Sequence, residues 1–263
     1  MHPVIFEVDL FGLHFPIYGY GLMIMLGAFA AYFYISHQAK KQLDIPNEKI
    51  LTLSRIIIIT AFLGGKLLYY LEDPGYYFIP PSNMLKNFQS GFVFYGSLLF
   101  AVPSVIWYVR KNQIPTLPFL DIIAIAAVVL HAFGRSGCFL AGCCYGIPSD
   151  GPFTIQFTHQ LSRAPLHQDL HPTQLYSVTL LLSILVILIM LKRHQRFKGQ
   201  LFLVYLVLYS IGRGIIEIFR GDEARGYIIE GYLSHSQFIS ILLIMAVIWY
   251  YVRLSKKAQT SPD

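Results

Sequence analysis

The chain has 263 residues, of which 55% are hydrophobic and 13% charged, and its formal net charge is +6. Soluble domains carry about 25% charged residues, whereas apolar runs near 20 residues, the length that crosses a bilayer, recur along this sequence. The composition therefore argues against a soluble protein with buried helices and predicts an all-α integral membrane protein with the lipid bilayer as its surroundings.

Seven transmembrane helices are predicted in chain order. They cover about residues 17–36, 50–70, 91–109, 118–134, 172–191, 200–217 and 236–253. The sequence shows no internal repeat and no separate soluble segment, so residues 1–263 are predicted to form a single transmembrane domain.

The distribution of basic residues predicts the orientation. Twelve of the 20 Lys and Arg residues lie in the connections 37–49, 110–117 and 192–199 and in the tail from residue 253, whereas the other three connections carry five. Because cytoplasmic loops are enriched in Lys and Arg, we expect a cytoplasmic C-terminus and an N-terminus outside. This placement of the charge also argues against a nucleic-acid partner. The predicted outer segments at about 71–89, 135–170 and 218–235 hold more varied polar residues, so any active site is expected on the outer side of the membrane.

An arginine stands where the fourth apolar run stops, in the stretch "HAFGRSGCFLAGCCYG". Arg135 lies between Gly134 and Gly137, and glycines let a backbone approach a ligand or adopt positive φ. The alternative is an ordinary helix end whose arginine reaches to the interface. His131, one turn earlier, is either a base or a packed histidine.

The sixth predicted span carries a polar stripe. Tyr209, Arg213, Glu217 and Arg220 fall at positions i, i+4, i+8 and i+11, which share one helical face. An Arg213–Glu217 pair that serves only structure is the alternative. The stripe has two arginines for one carboxylate and points outward, and arginine binds phosphate oxygens through two N–H groups at once. Together with Arg135 it predicts an outward-facing site for an anion within the membrane.

The remaining polar groups give weaker signals. Asp121 lies 14 residues before Arg135, about 21 Å along a straight helix, and is interpreted as structural or as a cap. His131, Cys138, Cys143 and Cys144 are zinc-ligand types, but their spacing lacks Cys-x2-Cys and adjacent cysteines rarely share an ion. We therefore predict no metal and no cofactor, and interpret the cysteines as packing residues with an optional disulfide.

Several of these motifs resemble, in order, those of the bacterial prolipoprotein diacylglyceryl transferase family. They are "YGLM" from Tyr20, "GRSGCFLAGCCYG" at 134–146, "HPTQLY" from His171 to Tyr176, and the sixth-span set of Tyr209, Arg213, Glu217 and Arg220. The resemblance implies transfer of the diacylglyceryl group of phosphatidylglycerol to the lipobox cysteine of a preprolipoprotein signal peptide, with release of glycerol phosphate. It also implies the bacterial cytoplasmic (inner) membrane, with the active site toward the outer face.

The same resemblance assigns roles to individual residues. Arg135 and Arg213 would bind the lipid phosphate and act in catalysis, with Glu217 orienting Arg213. The other implied positions are catalytic Tyr95 and Tyr209, substrate-binding Tyr20, Gly137, Gly146 and Arg220, and supporting His131, Asp121, His171, Gln174 and Tyr176.

The chain also departs from the family pattern. Cys138 and Ala141 replace two asparagines of the signature, Cys143 replaces its glutamate, and Tyr95 stands where a histidine proposed as the base is common. The proton acceptor is therefore open between Tyr95, His131 and the lipid phosphate. Two other functions remain: a related protein that binds lipid or signal peptides without catalysis, and a small-solute transporter, against which the outward bias of the charges argues.

Overall fold

The computed structural model describes residues 3–10, 13–88, 91–221, 227–229 and 233–260. Its elements in chain order are β1 (Val4–Leu10), β2 (Leu13–Tyr18), α1 (Gly19–Leu43), α2 (Asn47–Glu72), α3 (Pro74–Phe78), α4 (Ser82–Lys86), α5 (Phe94–Lys111), α6 (Thr116–Ala141), α7 (Thr173–Lys192), α8 (Gln200–Glu217), β3 (Tyr227–Ile229), β4 (Leu233–Ser234) and α9 (His235–Thr260).

Six helices in the described part of the chain are long and apolar enough to cross a membrane. They are α1, α2, α6, α7, α8 and residues Gln237–Lys256 of α9. Helix α5 forms over the predicted third span but is not among the six, so the count of seven spans stays a prediction. Large apolar side chains lie on the surface of the protein: Phe33, Ile58 and Trp249 are 65%, 67% and 62% exposed. Such a surface suits hydrocarbon rather than water, and the protein is a multi-pass membrane protein.

Helix α6 is longer than predicted. The sequence placed its end near residue 134, but it continues to Ala141, so Arg135 and Cys138 lie inside the helix and not in a loop. Arginine is a good helix former, and the hydroxyl of Ser136 donates to the carbonyl oxygen of Ala132 at 3.1 Å, so these polar residues do not interrupt the helix. Of the two alternatives for Gly134 and Gly137, positive φ is not observed, because both are helical; the helix stops at Gly142, whose φ is +68°.

The chain divides into two compact units. The first comprises residues 1–35 and 120–263, and the second residues 36–119. In the first unit, β1 pairs antiparallel with β2, a hairpin that the sequence analysis did not predict. The main core of the first unit joins α6, α7 and α8 through buried aliphatic side chains, among them Val128, Leu181 and Leu201. Whether the whole chain acts as one domain stays a prediction.

The second unit is built on the contact of α2 with α5. A Cβ added to Gly64 would clash with the carbonyl oxygen of Gly96, so the two helices approach closely through small residues, as membrane helices commonly do. Lys66 in α2 is 7% exposed, and its ammonium group donates to the carbonyl oxygen of Gly91 at 3.1 Å. Tyr95 also belongs to this unit, and its side chain is 73% exposed.

Asp121 fixes the beginning of α8. Its carboxylate accepts from the backbone N–H groups of Gly199 at 2.6 Å, Leu201 at 2.8 Å and Phe202 at 3.2 Å, and from the side-chain amide of Gln195. The first N–H groups of a helix have no partner within it, so a carboxylate from α6 here does the work of an N-cap. This is the structural role that the sequence suggested for Asp121.

The segment between α6 and α7, which the sequence predicts to be outside, has a small core of its own, formed by Phe157, Ala164 and Leu170. Backbone pairing links Ile155 to Leu170 in both directions at 3.0 Å. In the predicted outer segment 218–235, residues 222–226 and 230–232 lie outside the described residues, and β3 and β4 pair antiparallel.

Candidate active site

A polar cluster joins α6 to α8. The hydroxyl of Tyr209 lies 3.4 Å from Nε2 of His131, and it accepts a hydrogen bond from the guanidinium of Arg135. Arg213, one turn after Tyr209, is close enough for its charge to act on His131, as the charge of Arg135 also does. Two guanidinium groups from two helices therefore converge around one tyrosine and one histidine.

Arg213 and Glu217 form a buried ion pair on α8. Their side chains are only 10% and 8% exposed, and the guanidinium contacts the carboxylate directly. The predicted i, i+4 pairing is thus present. Bringing a charge out of water is costly unless it is paired, so Glu217 compensates the charge of the buried Arg213 guanidinium. With Arg135 and Arg220, the cluster carries more positive than negative charge, which favours an anionic ligand.

The end of α6 brings two cysteines together. The backbone N–H of Cys143 donates to the carbonyl oxygen of Cys138 at 3.1 Å, and that of Gly142 donates to Phe139 at 3.3 Å. With Gly142 in the left-handed region, these bonds form a Schellman motif. Cys138 and Cys143 stand at the two positions of this motif whose side chains commonly contact each other. Cys144 follows with a φ of +61°. The three Sγ atoms lie within 4.8 Å of one another, and none of the three cysteines forms a disulfide bond.

The first turn of α7 holds the cysteine turn in place. The hydroxyl of Thr173 donates to the carbonyl oxygen of Cys144 at 2.7 Å, and the side-chain amide of Gln174 donates to that of Cys143 at 2.8 Å. Both side chains are 1% exposed. Gln174 was expected as a supporting residue; Thr173 was missed, although it stands beside Gln174 in the "HPTQLY" motif.

Gly146 connects the cysteine turn to the end of α8. Its N–H donates to the carbonyl oxygen of His171 at 3.0 Å, while Ile147 donates to Phe219 at 2.9 Å and Gly221 donates to Tyr145 at 3.2 Å. A Cβ on Gly146 would come within 2.6–2.7 Å of His171 and Phe219, so no larger residue fits without a shift.

This pairing places Arg220 beside the thiols. The guanidinium of Arg220 donates a hydrogen bond to Cys144. Hydrogen bonds from the thiols of Cys138 and Cys143, and then the charge of Arg220, hold the pKa of the Cys144 thiol below its usual range. The charge of Arg163, in the segment between α6 and α7, acts on Cys143. Arg163 was not predicted as a site residue, and nothing in its sequence context distinguishes it.

Tyr20 completes this side of the cluster from the beginning of α1. A Cβ on Gly137 would lie 3.1 Å from Cδ2 of Tyr20, so the glycine provides the close approach that was expected of it, although toward a helix of the same chain. The hydroxyl of Tyr20 is near enough to Arg135 and the three thiols to interact electrostatically with them. The ring is 45% exposed, so a ligand can reach it.

The structure brings together most residues that the sequence singled out. Ten of them surround the cluster and the cysteine turn: Tyr20, His131, Arg135, Gly137, Gly146, Gln174, Tyr209, Arg213, Glu217 and Arg220. His171 and Tyr176 bond each other, with Nδ1 and the hydroxyl 2.9 Å apart. Asp121 lies at the start of α8 and not in this cluster, and Tyr95 belongs to the other unit.

The chain is similar along most of its length to known proteins. A family model described as prolipoprotein diacylglyceryl transferase matches residues 4–253. The chain is 39% identical to the phosphatidylglycerol–prolipoprotein diacylglyceryl transferase of Clostridium tetani, over 95% of this chain and 97% of that protein. It is 33% identical to the enzyme numbered 2 of that name from Clostridium perfringens, over 92% of each, and 29% identical to the Geobacter sulfurreducens enzyme, over 97% and 96%. The chain therefore belongs to the prolipoprotein diacylglyceryl transferase family.

Proposed function

We propose that this protein is a membrane transferase that moves the diacylglyceryl group of phosphatidylglycerol to the lipobox cysteine of a preprolipoprotein, the first step of bacterial lipoprotein maturation. The observation that carries the proposal is the convergence of Arg135 and Arg213 on Tyr209 and His131. The names of its relatives point to the same lipid and the same acceptor.

The paired guanidinium groups account for recognition of the lipid phosphate. Arginine offers several N–H donors in a fixed plane, which matches phosphate oxygens better than a lysine ammonium does. Arg213 is 8% exposed, and in such surroundings a fixed cation stabilises developing charge more than it would in water. As glycerol phosphate departs, negative charge on its oxygen grows, so the arginines stabilise the transition state more than the bound lipid.

The reaction exchanges one bond for another. The sulfur of the incoming thiol bonds to the glyceryl carbon as the bond between that carbon and the phosphate oxygen breaks. The thiol must lose its proton, since the thiolate is the nucleophile. Candidate acceptors are His131, which lies within the cluster, Tyr95 and the lipid phosphate itself.

An apolar groove between α8 and α9 suits the acyl chains of the donor lipid. It has a volume of about 350 Å³ and is lined mainly by isoleucine, with Ser210, Gln237 and Ser240 among its polar residues. Because α8 also carries Arg213, a lipid in this groove would have its headgroup on the same helix. We further propose seven spans, an outer N-terminus, a cytoplasmic C-terminus and a site facing the outer leaflet of the cytoplasmic membrane, in agreement with the bias of Lys and Arg toward four segments.

The test is transfer by the purified protein. Phosphatidylglycerol and a lipobox peptide would be incubated with it, and mass spectrometry would detect the diacylglyceryl group on the peptide cysteine together with free glycerol phosphate. Arg135→Ala and Arg213→Ala should each reduce the rate by about 10²–10³, the cost of removing a preorganised charge-stabilising group. Arg193→Ala, a matched change at the end of α7, should leave the rate unchanged.

Two results would refute the assignment. Rates close to wild type in Arg135→Ala and Arg213→Ala would remove the phosphate-binding role. A folded protein that binds lipid or peptide but adds no mass to the peptide would favour the related function of binding without catalysis.

A further inference from the structure

The three cysteines form a cluster that the proposed transfer does not use. They are the only cysteines in the sequence, and their Sγ atoms lie within 4.8 Å of one another. We call Cys138, Cys143 and Cys144 the trithiol cluster. Their spacing in the sequence argued against a metal site, because it lacks Cys-x2-Cys and adjacent cysteines rarely share an ion.

The backbone removes that objection. The Schellman motif at the end of α6 sets Cys143 against Cys138, and the left-handed conformation of Cys144, with φ +61°, brings the third thiol to the same place. A residue other than glycine in this region costs about 1–3 kcal/mol, and such conformations persist where the surrounding structure imposes them. The convergence of the thiols is therefore a built feature of the turn.

The cluster is held by groups that do not depend on the thiols. Thr173 and Gln174, both 1% exposed, donate hydrogen bonds to the carbonyl oxygens of Cys144 and Cys143. Buried outer-shell contacts of this kind orient ligand side chains in metal sites.

The charges around the cluster suit a set of thiolates. Arg220 donates to Cys144, the charge of Arg163 acts on Cys143, and the charge of Arg135 interacts with Cys138 and Cys144. Three thiolates around a divalent ion leave one net negative charge, which these arginines offset.

We propose that the trithiol cluster binds one thiophilic metal ion, with Zn²⁺ as the reference, and leaves one coordination position open. Thiolates favour soft ions such as Zn²⁺ and Cu⁺ over Mg²⁺ or Ca²⁺. With Zn–S bonds of about 2.3 Å, tetrahedral ligands lie about 3.8 Å apart, which the existing cluster reaches with shifts of about 1 Å or less. Three protein ligands and one open position are the pattern of catalytic zinc sites, whereas structural sites have four ligands.

The open position has a natural occupant, an assignment that rests on the proposed transfer function. A thiol bound to such an ion is deprotonated. The lipobox cysteine is the external thiol of this reaction, and the cluster lies beside Arg135, which is assigned to the lipid phosphate. An ion there would generate the thiolate in a chain that has Tyr95 where the family commonly has a histidine.

The first experiment measures the metal without lipid or peptide. Reduced, metal-depleted protein in detergent is incubated with Zn²⁺ and dialysed, and bound metal is counted by mass spectrometry. Co²⁺ replaces Zn²⁺ to show sulfur-to-metal charge-transfer bands. We expect one ion per chain, three thiols protected from a thiol reagent by Zn²⁺, and at least ~100-fold weaker binding in each single Cys→Ser variant. His159→Ala, in the same outer segment, is the control and should bind normally.

Several outcomes would overturn the site. They are loss of the ion on dialysis, equal retention by the variant with all three cysteines changed to serine, and thiols that stay reactive in the Zn²⁺-treated wild type. The last measurement needs no variant, so misfolding of a substituted protein does not affect it.

The second experiment tests the open position with a lipobox peptide. A peptide with cysteine should change the Co²⁺ spectrum, and the same peptide with serine should not. An unchanged spectrum in protein that transfers diacylglyceryl would refute thiol binding to the ion while leaving the proposed function standing. Bound metal without any transfer would refute the proposed function and leave the metal site standing.

Discussion

Replacement of Gly146 by alanine tests how the cysteine turn is held against the end of α8. The new Cβ would lie 2.6 Å from both the Cβ and the carbonyl oxygen of His171 and 2.7 Å from the carbonyl oxygen of Phe219. Two of these three atoms are backbone oxygens, which cannot rotate away as the tip of a side chain can. The segments that carry Gly146, His171 and Phe219 must separate by 0.7–0.8 Å to regain the 3.4 Å of an ordinary contact.

The cost follows from what that separation breaks. Overpacking in a closed site costs about 1–3 kcal/mol. The bonds from Gly146 to His171 and from Ile147 to Phe219 are 3.0 and 2.9 Å long and would be stretched, at about 1 kcal/mol for each one lost. We expect unfolding to become easier by about 2–4 kcal/mol. Because the same pairing places Arg220 beside Cys144, the transfer rate should fall by about 10²-fold.

The assay compares Gly146→Ala with Gly134→Ala. The Cβ of the second variant meets only Cδ1 of Ile24 at 3.4 Å, so alanine fits there and gains about 0.5–1 kcal/mol of helix propensity. Melting in detergent and transfer to a lipobox peptide are measured for both. A Gly146→Ala protein with wild-type melting temperature and rate would refute the close packing of this turn.

Three further changes test other parts of the structure. Asp121→Ala removes the acceptor for three N–H groups at the start of α8 and should lower the free energy of unfolding in detergent by about 2–4 kcal/mol. Asp121→Asn keeps one acceptor oxygen and should lower it by roughly half as much. Equal losses in the two variants would contradict the capping role. Because the pKa of Cys144 is lowered, its thiol should be alkylated by iodoacetamide at a pH of about 6, where an ordinary thiol of pKa about 8.5 is almost fully protonated. Arg220→Gln should slow this reaction at a pH of about 6 but not at a pH of about 9, as measured by mass spectrometry. Gly64→Ala forces a methyl group against a carbonyl oxygen of α5 and should lower the melting temperature. Gly21→Ala, whose Cβ meets nothing within 4 Å, is the control and should melt like the wild type. Equal melting temperatures of the two variants would contradict the close α2–α5 contact.

The membrane helices were the most predictable part of the fold, because apolar length and strong stop signals define them. The predicted spans 172–191 and 200–217 differ by at most one residue at either end from α7 and α8. Pro172 precedes α7, and Gly199, with φ +90°, precedes α8, so each helix begins at a residue whose backbone preference is known.

The end of α6 was predicted less well. The sequence analysis took the charge of Arg135 as the end of the span, whereas the backbone continues until Gly142 turns it. The i, i+4 pairing of Arg213 with Glu217 was still predicted correctly, because this spacing holds in any helix, and the anion-binding role of the arginines stays a prediction. The convergence of the thiols could not be predicted, since it depends on the left-handed conformation of Cys144, which residue spacing does not reveal.

The capping of α8 by Asp121 has a consequence for biosynthesis. The carboxylate of Asp121 enters the bilayer with α6. The N–H groups that donate to it, at the start of α8 from Gly199 to Phe202, are synthesised about 80 residues later. Until then the carboxylate, in the second turn of α6, lacks these partners, and a charge that moves toward the centre of the bilayer costs about 2.5–3.5 kcal/mol. A nascent chain that stops before residue 199 therefore carries an uncompensated charge in its fourth long helix. We therefore expect α6 to reach its final packing only once α8 has been synthesised, and a chain truncated before residue 199 to be less stable in the bilayer than the full chain.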